Sequence, residues 1–276
     1  MKSKYVTSFL LLCNIMLISA LSFAAERDIK EGVSTNIIIS ENTGTLLYAA
    51  QPGSKEQTPG KSEEPASPKE ESIFHISTDV TFASKYIWQG LDYSDGKPVI
   101  QPEVSFGYKE LSATVWFNYN IDKKVLDEMD LYLQYSKSLE ALNITGGYAH
   151  FNYPHRDGWK PSEEVFATMS YSALIKPSLE IHYDFGAGKG TYYNLGLSHD
   201  HETKLGVISL ASVLHYHNNY YNMSGCPSLE FHLNDAYTTG SLTITPSISY
   251  FLTWNNVDYK DVGNNTVFSI NTAWNF

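Results

Sequence analysis

Histidine and serine are the residues of this 276-residue chain whose spacing could do chemistry. The pairs His199/His201 and His215/His217 each place two imidazoles on one face of an extended strand, where a metal ion could bridge them. Zinc takes three or four ligands, and neither pair has a thiolate or a third ligand beside it in the sequence, so no metal and no cofactor is expected. Ser170, Ser212, His182, His215 and Asp184 supply the residue types of nucleophilic hydrolysis. That chemistry needs a base within hydrogen-bond reach of the serine and a third group to orient it, and no motif ties these five together. The chain therefore reads as a non-enzyme, with a lipid-modifying hydrolase as the competing reading.

The elements that would position such residues follow from a period of two. One face of the first strand carries Phe74, Ile76, Val80 and Phe82, continuing to Tyr86 and Trp88, and the other carries His75, Ser77, Asp79, Thr81 and Lys85. Leu111 to Ile121 alternates against Ser112, Thr114, Asn118 and Asn120, with Trp116 as the apolar intruder. Met129, Leu131, Leu133 and Tyr135 oppose Asp130, Tyr132, Gln134 and Ser136, and Leu179, Ile181, Tyr183 and Phe185 oppose Glu180, His182 and Asp184. About twelve such segments follow position 73, each of roughly the ten-residue length of a membrane strand. A soluble sandwich alternates in the same way. The links decide between the two: those near Lys109-Glu110 and Lys137-Ser138 are tight, whereas 152–162 and 218–226 are long, which is the outer-membrane arrangement. Aromatics also gather at the expected strand ends, with Tyr86, Trp88, Tyr119, Tyr148, Tyr250 and Trp254 at one and Tyr135, Tyr171, Tyr237, Trp274 and Phe276 at the other.

Residues 1–25 begin with Lys2 and Lys4, pass through an apolar run and end in small residues, the pattern of a cleavable secretory signal. Residues 26–72 include a Pro/Ser/Glu-rich stretch that cannot join a core and reads as a flexible acidic periplasmic tail, with a possible hairpin at 37–48. The last residues alternate up to Trp274 and Phe276, an ending that resembles the signal read by the barrel assembly machinery. A net charge of -11 sets nucleic acid aside as a partner. The expectation is an all-β protein, a transmembrane antiparallel up-and-down β-barrel at 73–276 in the cell outer membrane, with membrane lipids around it.

The segment from Thr81 to Gln101 resembles the opening of the TorF-family putative porins, also described as conserved hypothetical exported proteins. Tyr86, Trp88, Gly90, Ser94, Asp95, Gly96, Lys97 and Pro98 carry the resemblance, which extends through Gly147-Tyr148 and Tyr153-Pro154. Gln89 stands where the family often has arginine. The resemblance implies a barrel in the outer membrane and a porin-like passage for small polar solutes. Asp95-Gly96 followed by Pro98 also reads as an ordinary turn without any ligand. A surface adhesin, using Asn218–Asn222 and Pro154–Trp159 as external loop tips, is a third reading.

If Phe74, Leu131, Ile181 and Phe231 face lipid, the lumen is lined by Asp79, Glu103, Asp130, Glu180, His182, Asp184, Glu230 and His232. An excess of carboxylates there would favour cations weakly. Alternatively, these carboxylates pair with inward His182, His232 and lysines and fill the barrel. Trp116, Tyr132 and Phe166, also inward, would narrow it.

Overall fold

The computed structural model describes residues 74–254 and 263–276; the expected leader at 1–25 and tail at 26–72 lie outside the described residues. Twelve long strands follow one another. They are β1 (Phe74–Ala83), β2 (Val99–Tyr108), β3 (Leu111–Asn120), β4 (Val125–Leu139), β5 (Leu142–Asn152) and β6 (Ser162–Tyr171). The second half comprises β7 (Lys176–Asp184), β8 (Gly190–Glu202), β9 (Val207–Tyr220), β10 (Ser228–Thr239), β11 (Leu242–Thr253) and β12 (Asn265–Asn275). Each pairs antiparallel with the next, and β1 pairs with β12 from Ser77↔Asn275 to Ala83↔Ser269, so the sheet closes on itself. Two more backbone bonds extend the seam, Ser84 N–H to Phe268 O at 2.8 Å and Phe276 N–H to Ile76 O at 2.9 Å. No sheet edge of the closed barrel is left for lipid to meet, which is what a hydrocarbon solvent requires.

The faces are inverted relative to a soluble protein. Phe82, Phe106, Leu133, Val165, Leu197, Leu210, Phe231 and Phe268 are exposed, while Glu103, Glu164, Glu230, His232 and a wall of serines, threonines and asparagines are buried. A closed barrel whose apolar side chains face outward and polar ones inward is the arrangement that spans a membrane. Outward aromatics meet near the two rims, Phe74 with Tyr108 (ring centroids 5.7 Å apart) at one and Tyr148 with Phe185 (6.4 Å) at the other.

Links at the rim carrying the start of β1 and the end of β12 are short, and those at the opposite rim include 84–98 and 153–161. Lys109 and Glu140 take φ of 54° and 55° in the tight turns, the left-handed conformation two-residue hairpin loops demand. The expected turn at Lys137-Ser138 is corrected: β4 runs on to Leu139 and turns at Glu140-Ala141. Cross-strand contacts hold it there, Ser136 Oγ with Thr145 Oγ1 at 2.9 Å and Ser138 Oγ donating to Asn143 Oδ1 at 2.7 Å.

A second correction concerns Tyr86 and Trp88, expected to continue the lipid-facing side of β1. The strand stops at Ala83, and the following loop folds into the mouth of the barrel, where Ile87–Trp88 pairs with Leu91–Asp92. Tyr86 is buried against Trp116, ring centroids 5.7 Å apart. Similarly, Tyr220, expected at an exposed loop tip, is buried; Trp159 stays exposed and packs on Tyr153 and Tyr93.

Close packing within the wall generates a stability prediction. A Cβ on Gly147 would lie 2.5 Å from the Phe166 ring and 2.6 Å from the Leu133 carbonyl oxygen, whereas one on the neighbouring Gly146 meets nothing nearer than 3.8 Å. Gly147→Ala should lower the temperature at which the compact form disappears on a heat-modifiability gel, and Gly146→Ala should leave it within a degree or two; equal behaviour of the two variants would contradict this packing.

Candidate functional site

The loop after β1 is held by its own polar residues. The Asp92 carboxylate accepts the backbone N–H of Ser94 (2.9 Å) and of Gly96 (2.7 Å), and Ser94 Oγ accepts the N–H of Tyr86 (2.8 Å). Lys97 N–H donates to Ser94 O at 3.1 Å, and Pro98 O accepts Ile121 N–H at 3.2 Å. Asp95 points outward to Lys123 Nζ at 2.7 Å, and that bonded ammonium holds its carboxyl below the usual range. Gly90, at φ 80°, passes so close to β10 that a Cβ would meet Ser228 Cβ at 2.8 Å. The residues Gly90, Ser94, Asp95, Gly96, Lys97 and Pro98 thus build the turn that inserts the loop. Gln89, at its tip, hydrogen-bonds through Oε1 to His217 Nε2, and both are buried.

Beneath this loop an aromatic-walled cavity of about 510 Å³ opens toward the loop rim. Trp88 packs on Tyr192 (5.6 Å) and Tyr220 (6.0 Å), and Tyr93 on Trp159 (5.3 Å). Glu128, Asp130, Glu180, Glu230, His182 and His215 line it, with Gln89, Asn194 and the cation Lys160.

Around the wall a chain of acids and imidazoles crosses six strands. From Glu164 on β6, Oε2 lies 3.1 Å from His182 Nδ1 on β7, whose Nε2 stands 3.7 Å from Glu180 Oε2. Asn194 Nδ2 on β8 donates to Glu180 at 2.7 Å, and its Oδ1 meets His215 Nδ1 on β9 at 2.7 Å. His215 Nε2 is 2.9 Å from Glu230 Oε1 on β10, Glu230 Oε2 is 3.3 Å from His232 Nε2, and His232 Nδ1 meets Ser249 Oγ on β11 at 2.8 Å. Tyr192 and Tyr220 also donate to Glu164, at 2.9 and 3.3 Å. Buried carboxylates need such partners, because an unpaired charge out of water costs several kcal/mol or more.

Among the inward residues outside that chain, Asp79 accepts from Asn271 Nδ2 at 2.9 Å and Glu103 from Ser105 Oγ at 3.4 Å. Asp184 caps the loop after β7, accepting from Ser162 Oγ (2.6 Å) and Gly186 N–H (2.8 Å). Trp116, Tyr132 and Phe166 all lie buried within the barrel.

A bulge brings a further acidic pair inward. Opposite Asn118 and Tyr119 of β3, β4 carries one residue more, so that Asn118 faces Glu128 and Tyr119 faces Leu126. Asp127 and Glu128 are consequently both buried. Arg156, from the loop after β5, meets them at 3.4 and 3.5 Å while its guanidinium lies 4.8 Å over Trp159 and 5.4 Å over Tyr93. Burial works against the Arg156 charge, yet Glu128 and Asp127 outweigh it and raise its affinity for the proton. Burial likewise pushes the phenol of Tyr221, at the cavity rim, up to about 12.

The serine and histidine candidates for hydrolysis are not brought together. Ser212 points outward beside Leu210, whereas His215 faces in and is engaged by Asn194 and Glu230. Ser249, His232 and Glu230 do form a Ser–His–Glu line, but Ser249 sits in regular ladder pairing on a buried wall, without free backbone N–H groups to stabilise an oxyanion. Among the described residues no group of three or more His, Cys, Asp or Glu side chains could hold a metal ion. His199 instead contacts the Leu174 carbonyl through Nδ1 at 2.8 Å.

Alternation along β6 placed Glu164 in reach of sequence reasoning, two residues before the inward Phe166. Asp127 and Arg156 were not, because the bulge breaks parity at Asp127 and the arginine arrives from a loop.

Fold and lumen define a membrane-spanning β-barrel with a polar interior. The model of the family described as bacterial protein of unknown function (Gcw_chp) matches residues 64–204, and the chain belongs to that family. A bacterial barrel of this kind resides in the outer membrane. No curated protein matches the chain. Solved structures with similarity include the NanC porin (11% identity, 72% of this chain and 98% of that one, TM-score 0.49). An outer membrane channel from Pseudomonas putida F1 is 10% identical over 78% of this chain and 100% of that one, at a TM-score of 0.47. Outer membrane phospholipase A from Escherichia coli is 12% identical over 72% and 92%, at 0.40.

Replacing Arg156 by alanine leaves Asp127 and Glu128 buried without their cation, a change expected to cost about 3 kcal/mol. Thermal unfolding in detergent should show the loss, with Arg156→Lys recovering part of it; an unchanged transition in Arg156→Ala would contradict the ion pair.

Proposed function

We propose that the protein is a porin-like channel of the outer membrane, passing small polar solutes with a weak preference for cations, in keeping with its resemblance to the TorF-family putative porins. The observation that carries this reading is the polar inner wall leading from a cavity of about 510 Å³ at the loop rim. Carboxylates outnumber fixed cations along it, and the imidazoles of His182, His215 and His232 offset Glu164, Glu180 and Glu230 only in part. Such a lining concentrates cations without excluding anions sharply. In this reading the protein is not an enzyme and needs no cofactor. Its partners are membrane lipids, the solute, and the assembly machinery that reads Trp274 and Phe276 at the end of β12.

Reversal potentials of the full-length protein in a planar bilayer across a potassium chloride gradient test the proposal. A modest cation preference that weakens in Asp130→Asn is the expected result. Anion preference, or no conductance at all, would contradict it.

A further inference from the structure

We propose that the cavity at the loop rim is a binding site for a small organic ammonium ion, held between aromatic rings and the carboxylate of Asp130. The inference deepens the channel reading by naming a class of solute. The first observation is that two rings and a carboxylate of the cavity wall, Trp159, Tyr93 and Glu128, already engage a cation of their own chain. Arg156 lies over Trp159 at 4.8 Å and Tyr93 at 5.4 Å and faces Asp127 and Glu128. This is the combination that recognises alkylated ammonium groups, ring faces for the polarised methyl groups and a carboxylate for the charge.

Asp130 is the second, independent observation. It follows Glu128 by two residues on the inward face of β4 and lines the same cavity, and it is only 3% exposed. Its Oδ1 has no hydrogen-bond partner, and its Oδ2 has a single long one, the Tyr132 hydroxyl at 3.5 Å. Among the described residues no cation stands at ion-pair distance from it. A buried carboxylate so poorly satisfied is stabilised by a donor or a positive charge brought to it.

The remaining walls select the kind of cation. Tyr192 meets Trp88 and Tyr220 edge to face, Trp88 tilts against Tyr220, and Tyr86 and Tyr93 complete the aromatic wall. Hard metal ions take six or more oxygen ligands or keep their water, and among the described residues no three His, Cys, Asp or Glu side chains converge to hold one. A sugar would stack on the same rings and donate a hydroxyl to Asp130, and the glucose arm of the test separates it from an ammonium ion. An alkylammonium ion satisfies both features, and the volume admits one with room for a short polar substituent.

The test uses the refolded full-length protein in detergent, titrated by calorimetry with choline, with its neutral carbon isostere 3,3-dimethylbutan-1-ol, and with glucose. Choline should bind saturably, and both neutral probes at least about tenfold more weakly. Asp130→Asn and Trp159→Ala should each weaken choline by about tenfold as well. Trp159 lies on a loop, so that variant decides the matter if Asp130→Asn does not assemble. Absence of saturable choline binding, equal affinity for the isostere, preference for glucose, or full affinity in Trp159→Ala would overturn the proposal. Choline binding by a barrel that fails to conduct would leave this site standing and remove the channel reading; conductance without choline binding would do the reverse.

Discussion

In hydrocarbon no water is available to a free backbone N–H or C=O, and each one left unpaired costs several kcal/mol. Closure of β1 on β12 is therefore the interaction on which everything else in this molecule rests. The seam runs from Ser77↔Asn275 to Ala83↔Ser269 and is lengthened by the bonds of Ser84 and Phe276 at its two ends. Once the ladder is closed, strand period divides the side chains without further choice. Neighbours such as Phe106 and Ser105 go to lipid and lumen because a pleated strand sends successive residues to opposite faces.

That division moves the energetic difficulty inward. The lumen receives buried carboxylates at Glu103, Asp130, Glu164, Glu180 and Glu230 and a half-buried one at Asp79, and their burial must be offset locally. The acid–imidazole chain from Glu164 to Ser249 is the main solution, spreading three carboxylates over three histidines and an asparagine. The arginine over the bulge is the second. Asp130, between these systems, belongs fully to neither, which is why the wall looks incomplete there.

Much of the barrel was legible because the alternation is strong where both faces have a clear preference. The lipid and lumen faces of β1, β3, β4 and β7 follow directly from pairs such as Leu131/Asp130 and Ile181/Glu180. What escaped were places where alternation persists in sequence but not in space. Tyr86-Ile87-Trp88 keeps the pattern of β1, yet Gly90 lets the chain approach Ser228 and carry those rings into the lumen. At Asp127-Glu128 the reverse holds, since an extra residue sends two consecutive acids inward. The partners of Asp184 were equally hidden, because a loop-capping role depends on Ser162, 22 residues away. The tight-turn dipeptides carried less information than the Ser136–Thr145 and Ser138–Asn143 pairs that extend β4 past them.

The central claim is that one strand period separates a lipid face from a polar lumen, and nitroxide scanning measures that separation most directly. Cysteine replaces each of residues 131 to 135 of β4 in turn, in a background where Cys226 is serine, and collision of the attached spin label with membrane-dissolved oxygen is recorded in bilayers. The account predicts maxima at Leu131, Leu133 and Tyr135 and minima at Tyr132 and Gln134. A flat profile, or maxima at the even-numbered positions, would contradict it.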